Sequence, residues 1–92
     1  MAYLYRHIRN DKNEPFYIGV GGLEEFDNYE RSEFKHGRNI IWNRIINKSL
    51  FEIEIVLDDL TPEEALQKEI EFIKLYGRID KKTGILANMT DG

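Results

Sequence analysis

The chain has no cysteine, and only two prolines, two histidines and one tryptophan among its 92 residues. Without cysteine there is no disulfide scaffold and no thiolate metal site, which suits a reducing compartment. Two histidines leave too few ligands for a histidine-based zinc site. No apolar run approaches the roughly 18 residues of a membrane span, and the N-terminus lacks a signal-peptide pattern. No membrane contact is expected, and the expected location is cytoplasmic. Positive charge is also scarce: 13 Lys and Arg stand against 17 Asp and Glu, for a net charge of −4. That argues against binding nucleic acid over the whole surface, but not against a local basic groove. No repeat, low-complexity tract or linker divides the chain. Residues 1–92 are expected to form one small domain.

What is present is an apolar fraction of 41% and a charged fraction of 33%, enough for one modest core under a solvated surface. The strongest local signal runs from Thr61 to Gly77. Thr61 caps a helix, Pro62 suits its first turn, and Glu64 completes a capping box. Gly77 suits the left-handed residue that closes it. A helix over 62–76 follows. Wound at about 100° per residue, it gathers Ala65, Leu66, Ile70, Phe72, Ile73 and Tyr76 on one arc roughly 160° wide. Glu69 lies near the middle of that arc. An ionised carboxylate there needs a partner: an arginine, a metal ion or a set of hydrogen bonds.

Met1 to Arg9 reads as a strand, with Tyr3, Tyr5 and His7 on one face and Leu4, Arg6 and Ile8 on the other. The stretch NDKNEP is turn chemistry, and Phe16 to Val20 is a second strand that pairs antiparallel with the first. Gly19, Gly21 and Gly22 then read as a bend. The run GVGG lacks both the lysine of a P-loop and the spacing of a dinucleotide fingerprint. Leu23 to Gly37 is a loop with a short helix. Arg38 to Lys48 is helical, with Ile41, Ile45, Trp42 and Ile46 as inward candidates. Phe51 to Leu57 alternates, setting Phe51, Ile53, Ile55 and Leu57 against Glu52 and Glu54. Ile85 to Asn88 is a short extended piece. The expected fold is α/β in the α+β sense: a three-stranded, mainly antiparallel sheet flanked by helices.

Tyr5 and Tyr17 on neighbouring strands, Arg31 in the following loop, Glu69 on the helix and Asn88 in the last extended segment form a set in a fixed order. In that order they resemble the GIY-YIG endonuclease family. Its two name motifs match Tyr3-Leu4-Tyr5, where Tyr3 and Leu4 replace glycine and isoleucine, and Tyr17-Ile18-Gly19, which is intact. The wording YLYRHIR, EPFYIG, ALQKEIEFIKLYGR and TGILANMTDG is similar to a small phage-type subgroup, over nearly the whole chain. The resemblance implies a three-stranded antiparallel sheet with helices, and metal-dependent hydrolysis of DNA phosphodiester bonds in a bacterial or phage-infected cell. Glu69 would be the sole protein carboxylate on a Mg²⁺ or Mn²⁺ ion. Arg31 would clamp the phosphate. Tyr17 would position or deprotonate the attacking water, Tyr5 would join the same network, and Asn88 would fix the surrounding geometry. His36 is a further candidate for acid catalysis or phosphate contact. His7 is a candidate for the site or for a structural hydrogen bond. Lys35, Arg38 and Arg44 are candidate phosphate contacts, and Trp42 is a core residue or a stacking platform.

DNA is the expected partner, with a homodimer or larger complex supplying specificity. Two other readings remain open. One is a non-catalytic module that binds nucleic acid or protein. The other is an acidic adaptor or DNA mimic built on Glu24, Glu25, Asp27, Glu30 and Glu33.

Overall fold

The computed structural model describes residues 1–23 and 27–92; Glu24 and Glu25 of the acidic run lie outside them. Strands β1 (Ala2–Arg9), β2 (Glu14–Gly21) and β3 (Phe51–Leu60) form one sheet in the order β2-β1-β3. Both pairings are antiparallel. Helices α1 (Glu30–Glu33), α2 (Ile40–Ile46) and α3 (Pro62–Tyr76) complete the described fold, which is α+β as expected.

Because β1 is central, both of its faces are covered. Tyr3, Leu4 and Tyr5 are all buried, although they point alternately to opposite sides. On one side Ala2, Leu4, Ile18 and Val20 meet Ala65 and Ile73 of α3, with Leu86 beside them. On the other, Phe16, Trp42, Ile45 and Ala87 form a smaller cluster. The α3 bounds follow from its ends. Thr61 accepts from the Glu64 N–H while the Glu64 carboxylate accepts from the Thr61 N–H, and Gly77 leaves the helix at φ 75°.

Three expectations are corrected. First, Leu66 and Ile70 are exposed rather than inward. Three strands about 4.8 Å apart make a sheet no wider than a helix, so it covers only the middle of a wide apolar arc. Second, Leu57 does not share a face with Phe51, Ile53 and Ile55. Tyr5 pairs with Ile55 but Leu4 pairs with Leu57, so Val56 is an extra residue. That bulge turns Leu57 to the α3 side, where it packs on the larger cluster. Ile53, still on the tyrosine face, is 39% exposed. Third, Gly19 and Gly21 are not a bend but lie inside β2, opposite Tyr5 and Tyr3. A Cβ on Gly19 would lie 2.3 Å from Tyr5 Cζ, and one on Gly21 2.2 Å from the Tyr3 hydroxyl. The rings lie across the glycines, and only glycine leaves that space.

The last segment closes the outer edge of β2. Ala87 N–H donates to the Phe16 carbonyl at 2.6 Å. Arg78, nearly buried, binds both Asp80 oxygens, the Met89 carbonyl and Asp91, which pins the segment to the end of α3. The bidentate bond is to Asp80, and a single bond to Asp91 ties the YGR stretch to the TDG stretch.

Candidate active site

The hairpin places Tyr5 and Tyr17 side by side, with ring centres 6.3 Å apart and planes 34° from parallel. Tyr5 is buried and Tyr17 half-buried. Burial raises the Tyr5 pKa, and the Arg38 guanidinium and then Arg31 oppose that rise. Arg31 is exposed on α1 and lines a cleft of about 220 Å³ with Phe34, His36, Gly37 and Arg38. Its charge reaches both Tyr5 and Glu69. Glu69 is half-buried at the boundary between the covered and open parts of the α3 face. Burial raises its pKa, and Arg31 lowers it. Among the described residues its carboxylate joins no ion pair.

Asn88 is buried, and its side chain acts as one more rung on the edge of β2. Oδ1 accepts the Ile18 N–H at 3.1 Å and Nδ2 donates to the Ile18 carbonyl at 2.8 Å. Ile18 follows Tyr17 directly, so Asn88 sets the backbone that aims that tyrosine. Asn88→Ala leaves two buried backbone groups without partners. A loss of about 2–4 kcal/mol is expected, read from urea denaturation. A loss under about 0.5 kcal/mol would mean that water takes over both bonds.

His7 is fully buried, with both ring nitrogens engaged. Trp42 Nε1–H is a donor only, so Nδ1 accepts it, at 3.0 Å. Nε2–H therefore donates to the Ser32 carbonyl at 2.7 Å. Burial depresses its pKa to about 4. His7 is thus a neutral strut that ties β1 to α1 and α2, with no free nitrogen for chemistry. His36, Lys35 and Arg44 are exposed. His36 lies against Phe34 at 4.9 Å between ring centres, on the same cleft as Arg31. Trp42 is fully buried, in the core.

The sequence marks Arg38 as a candidate phosphate contact and carries no sign of its inward bonds. Its guanidinium donates to the Tyr5 hydroxyl at 3.0 Å and lies over the Tyr17 ring at 5.0 Å. The only sequence signal was its place just ahead of the Asn39 cap of α2. Among the described residues no group of three or more His, Cys, Asp or Glu side chains stands together as a metal cage. Comparison with protein-family models, curated proteins and solved structures gave no match.

Proposed function

We propose that this protein is a metal-dependent endonuclease of the GIY-YIG type, which hydrolyses DNA phosphodiester bonds. The observation that carries the reading is a juxtaposition. Two tyrosines on adjacent strands share one arginine, while a second arginine acts on both the Tyr5 hydroxyl and a half-buried carboxylate that joins no ion pair among the described residues. A half-buried carboxylate left without an ion pair costs stability, and a cation bound in function offsets that cost. A divalent ion held there would supply charge neutralisation at the phosphate oxygens and a more acidic water. Arg31 binds the phosphate and stabilises the charge that develops on it. Tyr17, the more open of the two tyrosines, orients the attacking water and takes up or relays its proton. Asn88 holds the β2 backbone under Tyr17.

The test is incubation of the folded chain with supercoiled plasmid and branched oligonucleotides at low salt, with Mg²⁺, Mn²⁺ or EDTA. Nicking is expected with either metal and none with EDTA. Tyr17→Phe should lower the rate by about 10²-fold or more, the scale of a lost proton-transfer group. The net charge of −4 weakens the hold on free DNA and so leaves room for a second reading. In that reading a catalytically weak or inactive module of the same type binds DNA or a protein partner, as a dimer or within a larger complex. Absence of cutting by folded wild type, with a salt-sensitive gel shift on the same DNA, would move the conclusion there.

A further inference from the structure

Arg38 stands just ahead of α2, half-buried between α1 and the tyrosine face of the sheet. Its fork is largely closed inside the chain. Nη1 donates to the Tyr5 hydroxyl at 3.0 Å, Nε to the Phe34 carbonyl at 2.8 Å and Nη2 to the Arg31 carbonyl at 2.9 Å. The guanidinium carbon lies 5.0 Å from the Tyr17 ring centre, 5.7 Å from Trp42 and 5.8 Å from Tyr5. A side chain that serves phosphate alone keeps its donors toward solvent. This one joins two carbonyls of the α1 segment to a side-chain hydroxyl on β1 and lies over aromatic rings, a geometry only a planar fork provides.

The bond to Tyr5 has a chemical consequence. The phenol oxygen accepts from Arg38, so its own proton points elsewhere and remains available to donate. The ring reaches Arg38 because it lies across Gly19. The bond to the Arg31 carbonyl fixes the short α1, which has no side-chain cap at its start. One guanidinium thus sets the direction of the Tyr5 hydroxyl and the position of the segment that carries Arg31.

We propose that Arg38 is a positioning residue, which aligns the Tyr5 hydroxyl and the Arg31 segment for reaction, rather than a phosphate contact alone. Its catalytic consequence rests on the nuclease reading; its geometry does not.

The test compares Arg38→Lys and Arg38→Met with wild type. Lysine keeps the charge but loses the fork. If Arg38 positions, Arg38→Lys lowers kcat by about 30-fold or more while KM for DNA stays within about 3-fold, the pattern of a group needed in the transition state. Near-wild-type kcat in Arg38→Lys, with a raised KM in Arg38→Met, overturns the proposal. A second readout needs no DNA. In protein carrying carbon-labelled tyrosine, the Tyr5 Cζ resonance is assigned by its loss in Tyr5→Phe. It should shift in Arg38→Lys and in Arg38→Met, while the backbone N–H resonances of α3, on the other side of the sheet, stay in place. An unmoved Tyr5 signal overturns the proposal. A moved signal in a chain that cuts no DNA supports the positioning and rejects only the nuclease reading.

Discussion

On the nuclease reading, Glu69→Gln should lower metal-dependent nicking by about 10³-fold or more, without loss of fold. The scale is that of a group acting directly at the charge of the transition state. Glutamine has the same shape and keeps one acceptor oxygen, but it is a poor ligand for a hard divalent cation. Burial already disfavours the ionised form of Glu69, and among the described residues no ion pair rescues it. Removing its charge should therefore leave thermal stability unchanged or slightly raised in metal-free buffer. A residue whose loss abolishes activity while sparing or helping the fold marks a functional site, because function and stability then conflict at one position. Adding Mg²⁺ should raise the melting temperature of wild type but not of Glu69→Gln. Cutting by Glu69→Gln within about tenfold of wild type would remove Glu69 from the metal role.

His7 should contribute a stability loss of about 3 kcal/mol as pH drops from 6.5 to about 4, offset in part by Glu69, whose raised pKa favours the fold as acid is added. The sign follows from proton uptake. In the unfolded chain His7 takes a proton near pH 6.5, while in the fold burial delays uptake to about pH 4. Between those values the unfolded state holds the extra proton, so acid favours unfolding. Below the lower value both states carry it and this contribution stops growing. Asp58, Glu64 and Asp80 have pKa values lowered by their hydrogen bonds, and Asp11 is lowered to about 2 by Arg9. Their contributions are lost mainly below this window. Protonation also forces Nδ1 to become a donor against the Trp42 N–H, which breaks the link between β1 and α2. Urea denaturation at about pH 7 and about pH 4.5 measures the difference. His7→Gln keeps a donor and an acceptor but takes up no proton, so it should flatten the dependence in this range. An equal acid loss in His7→Gln would place the titrating group elsewhere.

The amino-acid sequence by itself determined α3, the β1–β2 hairpin and the α+β class. Those signals are local. A capping box, a glycine at positive φ and a two-residue alternation act within a few residues, and nothing distant contradicted them. It also singled out Glu69, because a carboxylate on an apolar helix face is visible as a periodicity error. Only the tertiary structure decided the rest. One extra residue at Val56 moved Leu57 to the opposite face of β3, since alternation inverts wherever a strand bulges. Gly19 and Gly21 became strand residues because the register sets them beneath the Tyr5 and Tyr3 rings. Leu66 and Ile70 stayed exposed because the sheet is narrower than the apolar arc above it. His7 joined Trp42 and Ser32, and Arg38 joined Tyr5, across separations set by how α1 and α2 lie on the sheet. Hydrogen bonds and ring contacts of this kind depend on distances between segments far apart in the chain. Periodicity, which describes one segment at a time, carries no record of them.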